Sequence, residues 1–176
     1  MPTSKSRHDV PGRAPLDFVA IDFETSCHAD GRPGGPWQLG AAFVRGGEVA
    51  DTAEWFFKSP ERPDAPSFMD QWSEIFPALS GSALVAHNIA TERTILTKAA
   101  PLTRWGPWID TLQLARARFP GLPGYSLGEL CGRLSVVPAV EGRTWHDGLF
   151  DAVACARLAL VLLPGRNVST TEGVAR

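Results

Sequence analysis

Two adjacent glycines, Gly46 and Gly47, stand between two runs of β-type residues, and no other stretch of the chain restricts its fold as sharply. A Gly-Gly step supplies the backbone conformations that tight hairpin turns require. The flanking runs, about Leu39 to Arg45 and about Val49 to Phe57, are therefore expected to pair antiparallel. Upstream lies a third run, Leu16-Asp17-Phe18-Val19-Ala20-Ile21-Asp22-Phe23-Glu24, apolar through its first part and acidic at its end. An antiparallel sheet of three strands thus opens the fold.

Past this point the pattern changes period. Phe68, Trp72, Ile75, Phe76 and Leu79 recur at helical spacing, which predicts a helix over Ser67 to Leu79. Ala83-Leu84-Val85-Ala86 is a short apolar strand, followed by a helix from about Thr91 to Ala99 that Pro101 ends. Further helices are expected over Thr111 to Arg118 and over Leu127 to Leu134, the latter capped by Ser126 with Glu129 three residues later. In the last helix, about Asp147 to Leu163, one stripe carries Leu149, Val153, Ala156, Leu160 and Leu163. Antiparallel strands followed by alternating strands and helices define an α/β fold with a mixed sheet and helices on its faces.

The length of 176 residues and the 44% hydrophobic content fit one ordinary core, expected over residues 16–164. Residues 1–15 and 165–176 are polar and rich in Pro, Gly and Ser or charge, and read as flexible tails. No run approaches the roughly 18 apolar residues of a membrane span, and Met1 to Pro15 has no apolar signal core. A soluble, cytoplasmic protein without a membrane partner is expected. Cys27, Cys131 and Cys155 are odd in number and lack a C-x-x-C pair, which argues against a disulfide framework or a structural zinc. The formal charge of −2 excludes the basic footprint with which proteins grip duplex DNA by charge alone.

Three segments carry chemistry. In Asp22-Phe23-Glu24-Thr25 the two carboxylates share one face of a strand, with Phe23 on the other. Such a pair repels unless a cation lies between, so it is either a hard-metal site or a solvent-facing strand end. In Trp145-His146-Asp147-Gly148-Leu149-Phe150-Asp151, Asp147 and Asp151 lie four apart where a helix starts, and His146 is in the entry turn. An imidazole there is poised to take a proton near neutral pH, or is a surface residue beside acids that favour the helix dipole. In Ala86-His87-Asn88-Ile89-Ala90-Thr91-Glu92, Glu92 is a third cluster carboxylate or a first-turn helical acid, Asn88 a cap and His87 a polar strand end.

Together the three segments resemble the DEDDh family of 3′–5′ exonucleases in the RNase H-like superfamily, in particular its DNA polymerase III epsilon-like branch. Asp22-Phe23-Glu24-Thr25 is similar to the first motif, Ala86-His87-Asn88 with Glu92 to the second, and His146 with Asp151 to the third. Ile109-Asp110-Thr111-Leu112 and Tyr125-Ser126-Leu127-Gly128-Glu129-Leu130-Cys131 look like the segments between the second and third motifs, so the resemblance spans about Leu16 to Leu163. Glu92 departs from the pattern: the family has Asp there, one methylene shorter, and an aromatic where this chain has Thr91.

The resemblance implies an RNase H-like sheet and metal-dependent hydrolysis of phosphodiesters at 3′ ends of single-stranded DNA or RNA, releasing nucleoside 5′-monophosphates. It implies two divalent cations, Mg²⁺ or Mn²⁺, held by Asp22, Glu24, Glu92 and Asp151, with Asp22 bridging. His146 would act as general base, and Thr25, His87 and Asn88 would contact or position substrate. A DNA polymerase or another replication or repair protein is the implied partner. A second reading is a weakly active relative that binds nucleic-acid ends or docks on a polymerase. With the four carboxylates set aside, the rest of the chain carries two more bases than acids, so its charge no longer excludes a phosphate-bearing substrate.

Overall fold

The computed structural model describes residues 16–27 and 33–163; the expected tails, residues 1–15 and 165–176, and Pro164 lie outside the described residues. The strands are β1 (Phe18–Cys27), β2 (Pro33–Arg45), β3 (Glu48–Phe56), β4 (Leu84–Ala86) and β5 (Trp108–Asp110). The helices are α1 (Trp72–Leu79), α2 (Ala90–Ala99), α3 (Thr111–Arg118), α4 (Leu127–Arg133) and α5 (Gly148–Leu162). The sheet order is β3-β2-β1-β4-β5. β1, β2 and β3 pair antiparallel, while β4 runs parallel to β1 and β5 parallel to β4, which is the mixed α/β sheet that the sequence pattern predicts.

The hairpin forms at the glycine pair. Gly46 and Gly47 take φ of +59° and +82°, and Arg45 pairs directly with Glu48. Two consecutive positive φ angles match the twist of the flanking strands, a conformation that residues with a Cβ adopt only under strain. The Asp17 carboxylate accepts from the Gly46 N–H at 2.8 Å and so ties the turn to the start of β1.

Three elements differ from the pattern. β2 begins at Pro33 rather than near Leu39, because Gly34, Gly35 and Pro36, poor strand formers by themselves, are drawn into pairing with the irregular end of β1. α1 begins at Trp72 rather than Ser67: Ser67 and Asp70 bond each other's backbone N–H and close a turn instead. The strand β5 is only three residues long, too short to show a period.

β1 divides the core. Val19, Ile21 and Phe23 face one layer, where Ile75 and Leu79 of α1, Leu96 of α2 and Trp105 cover them. Phe18 and Ala20 face the other, packed with Val85 against Ala152, Val153, Ala156 and Leu160 of α5. α3 and α4 lie on the far side of α5 through Ala115, Leu130, Leu158 and Leu162. Alternation along β1 therefore sends Asp22 and Glu24 toward α5.

Two glycines let α5 start almost in contact with the sheet. A Cβ at Gly40 would overlap the carbonyl of Gly148, and one at Gly148 would lie 3.2 Å from both the Asp22 carbonyl oxygen and the Gly40 nitrogen. Gly40→Ala must therefore push the first turn of α5 away from Asp22. The expected cost is about 1–3 kcal/mol of stability for overpacking and roughly a hundredfold in turnover for misplacing the site. Thermal melts and rate measurements check this, and a variant with wild-type melting and rate contradicts the close approach.

Candidate active site

The C-terminal ends of the parallel strands β1, β4 and β5 converge, the edge at which open α/β sheets bind ligands. Asp22 and Glu24 come from the end of β1, which becomes irregular after Glu24. Asp151 comes from the first turn of α5. Its position is set by Asp147, the N-cap, whose carboxylate accepts from the Phe150 N–H at 3.0 Å and fixes where the helix begins. Asp151 is then 9% exposed, and its Oδ2 accepts from the His146 N–H at 3.1 Å. His146 itself is exposed and takes φ of +68°, a left-handed conformation that aims its ring over the acids. Ligand atoms of Glu24, His146 and Asp151 all lie within 4.8 Å of one another.

Glu92 reaches the same place from the opposite layer. It lies in the first turn of α2, is 5% exposed, and accepts from the backbone N–H of Phe23, between Asp22 and Glu24. These are not surface charges. Glu92 Oε2 and Asp151 Oδ1 are buried with no hydrogen-bond partner among the described residues, a costly state unless something else coordinates them.

All four carboxyls are pushed up from their ordinary values. Asp22 is raised well above, first by burial, then by the charges of Glu92, Asp151, Glu24 and Asp147. Glu24 is raised by burial and by Asp151, with the His146 ring opposing. Asp151 is raised by burial against the opposing N–H and ring of His146. Glu92 is raised by burial to about 7, although the N–H groups of Phe23 and of Glu92 itself pull it down. Buried acids that repel one another and keep unpaired oxygens fit a hard divalent cation, and an oxygen-rich donor set suits Mg²⁺ or Mn²⁺.

This arrangement has a pH signature in the metal-free protein. An acid whose folded pKa lies above its unfolded one binds more protons folded, so stability falls as pH rises from about 4.5, the ordinary Glu value, to about 7. For Glu92 the span corresponds to roughly 3 kcal/mol. In EDTA, Glu92→Gln is expected to flatten that part of the stability curve. Denaturant midpoints across the range measure it, and an unchanged slope contradicts the burial of an ionisable acid at this position.

A neighbouring network holds α5 in place. Arg143 forms a forked ion pair with Glu54 and bonds both oxygens of Asp147 at 3.0 Å. Gln38, 1% exposed, donates to Glu54 at 2.7 Å and to Asp147 at 3.3 Å, and its carbonyl accepts from the Gly148 N–H. Burial works to raise the Asp147 carboxyl, but the Phe150 N–H, Arg143 and Gln38 outweigh it and hold it below its ordinary value. Asp147 thus serves the helix start. Spacing gives no sign of Arg143 or Glu54, whereas Gln38, polar beside the apolar Trp37 and Leu39, was a visible signal.

The second segment splits. Asn88, exposed with φ of +67°, faces the concavity beside α2, and its N–H donates to Asp110. Asp110 also caps α3 through Leu112 and Gln113. Both ring nitrogens of His87 are engaged inside the protein, Nε2 donating to the Tyr125 carbonyl at 2.8 Å and Nδ1 meeting the Thr111 hydroxyl at 2.9 Å. Burial lowers its pKa, which favours the neutral ring that accepts from Thr111. Thr25, partly buried, lines a second concavity against α2. Phe23 and Trp108 belong to the core, and Trp145 stacks edge-on against Phe150 at 4.9 Å.

A five-stranded mixed sheet with a carboxylate cluster at the ends of its parallel strands is the RNase H-like arrangement. No family model matches the chain. A DNA polymerase III subunit epsilon from Buchnera aphidicola is 32% identical over 112 residues, 59% of this chain and 47% of the relative. A PolC-type DNA polymerase III from Bacillus cereus is 28% identical over 147 residues, 72% of this chain and 10% of the relative. The chain thus spans under half the length of the one and a tenth of the other. Among solved structures, exonuclease X in complex with 5′ overhanging duplex DNA superposes with a TM-score of 0.64 at 24% identity, over 82% of this chain and 90% of that one. The nuclease domain of 3′hExo, a DEDDh family member bound to rAMP, gives 0.65 at 16% identity, over 85% and 92%. The chain is thus similar in sequence to DNA polymerase III epsilon and PolC-type proteins and shares the RNase H-like fold of these exonuclease structures.

Proposed function

We propose that residues 16–164 form an exonuclease domain that hydrolyses the terminal phosphodiester at 3′ ends of single-stranded nucleic acid, DNA in preference to RNA, releasing nucleoside 5′-monophosphates. The observation that carries this reading is the convergence of Asp22, Glu24, Glu92 and Asp151, with buried oxygens left unpaired, beneath the exposed imidazole of His146. The four carboxylates would hold two divalent cations, Mg²⁺ or Mn²⁺. Bound there, the cations would supply Lewis-acid stabilisation of charge on the attacking and leaving oxygens. His146 takes the proton of the attacking water, held in place by the N–H that it donates to Asp151. Thr25 contacts the terminal nucleotide from the end of β1. Asn88 positions the strand at the head of α2, and His87 fixes the turn that carries Asn88 by bonding Tyr125 and Thr111.

The epsilon and PolC names of the relatives support a replication or repair polymerase as partner, and a cytoplasmic setting fits a chain in which no helix among the described residues is long and apolar enough to cross a membrane. Glu92, where the family has Asp, favours one second reading: a weakly active relative that binds nucleic-acid ends or docks on a polymerase. Matched DNA and RNA oligonucleotides, single-stranded and with 3′ overhangs, test both readings with Mg²⁺ and Mn²⁺. The first predicts stepwise mononucleotide release, fastest on single-stranded DNA. Tight end binding with no release in either metal supports the second.

A further inference from the structure

Three concavities adjoin one another along α2, of about 810, 480 and 310 Å³, and Lys98 lines all of them. The largest is walled by Ala90, Arg93, Thr94, Thr97 and Lys98, positions that recur every three or four residues and so form one face of α2, with Pro101 just past the helix end. The ten residues of α2 rise about 15 Å, more than a single nucleotide needs. One end of this groove opens at Asn88 and Thr25, beside the carboxylate cluster. The other end reaches Phe68, Ile95 and the half-exposed Met69, an apolar floor of the kind that suits stacked, unpaired bases.

The charge of the groove is opposite to that of the site. Arg93 and Lys98 are exposed and have no ion-pair partner among the described residues. Asp110 is the only acid among the described residues lining the three concavities, and its Oδ1 already accepts from the amides of Asn88, Leu112 and Gln113. Two unpaired cations on a polar helix face, continuous with a site that repels phosphate until it holds metal, suit a phosphodiester backbone. Because the carboxylates would take the terminal linkage, whatever continues along α2 lies on its 5′ side.

We propose that this face of α2 is the track for the strand 5′ of the scissile bond, with Arg93 and Lys98 contacting successive backbone phosphates without reading sequence. The proposal rests on the exonuclease reading for its direction, but its binding test does not need hydrolysis. The probe is a 5′-fluorescein oligothymidylate, titrated over a range of salt against Asp22→Asn protein carrying Arg93→Ala, Lys98→Ala or both, with Arg133→Ala as an off-track basic control. Each track substitution is expected to lower the slope of log affinity against log salt by about 0.7, and the control to leave it unchanged. In the active protein, the ratio of KM for the oligonucleotide to KM for the p-nitrophenyl ester of thymidine 5′-monophosphate, which has no 5′ strand, is expected to rise. An unchanged slope in the double variant, equal KM losses on both substrates, or no oligonucleotide binding at low salt overturns the track. Salt-dependent binding through Arg93 and Lys98 without any hydrolysis keeps the track and overturns the exonuclease reading instead.

Discussion

Asp22→Asn is expected to reduce metal-dependent release of mononucleotides by at least about a thousandfold, the counterpart of the several kcal/mol that a correctly held cation supplies. Asp22 is the acid on which the other three converge electrostatically, since Glu92, Asp151 and Glu24 all raise its carboxyl. The same substitution has an opposite effect on the metal-free fold. Removing one buried anion from four relieves repulsion, so the variant is expected to melt higher than wild type in EDTA and to gain less from Mn²⁺. Paired melts with and without Mn²⁺ measure this linkage. A variant that melts lower in EDTA, or keeps the full increment, would show that the carboxylates do not share a cation.

His146→Ala carries the second large effect. General-base catalysis contributes about 10²–10⁴-fold, so kcat is expected to fall by that factor while the Mn²⁺ increment in melting persists. Because the residue holds a left-handed backbone, His146→Asn, which tolerates φ of +68° better than Ala, separates loss of the base from strain in the turn. If the Asn variant retains most of the rate, the ring is not the base. Loss of rate in both, with metal binding intact, supports the assignment.

The fold was legible where a local signal and the tertiary answer coincide. Gly46-Gly47 makes the hairpin that it advertises, the Ser126–Glu129 box caps α4, and the acid-x-acid end of β1 turns its carboxylates to one side because strand alternation has no other outcome. Legibility failed where pairing partners decide. The extension of β2 back to Pro33 depends on β1 running alongside, and β5 exists through its three-residue pairing with β4.

The site divides in the same way. Asp22, Glu24, His146 and Asp151 carry spacing that a strand end and a helix start convert directly into proximity. Glu92 approaches from the other layer, and the Phe23 N–H that it accepts, together with its charge on Asp22, shows why an acid at the start of α2 belongs to the cluster. The residues that secure α5, Gln38, Glu54 and Arg143, are far apart in the chain and meet only across packed elements. Gly40 is visible as a glycine inside a strand, but its purpose, admitting the Gly148 carbonyl, is a property of the packing.

Removal of nucleotides from 3′ ends by this carboxylate and histidine cluster can be watched directly. Its most direct test follows a 5′-labelled single-stranded oligonucleotide over time with Mg²⁺ and with Mn²⁺, resolving both the shortening strand and the released product. The expected result is a ladder shortening one residue at a time from the 3′ end, nucleoside 5′-monophosphate as the product, and no reaction in EDTA or with Asp22→Asn. An intact oligonucleotide in both metals, internal cuts, or release that survives Asp22→Asn would contradict it.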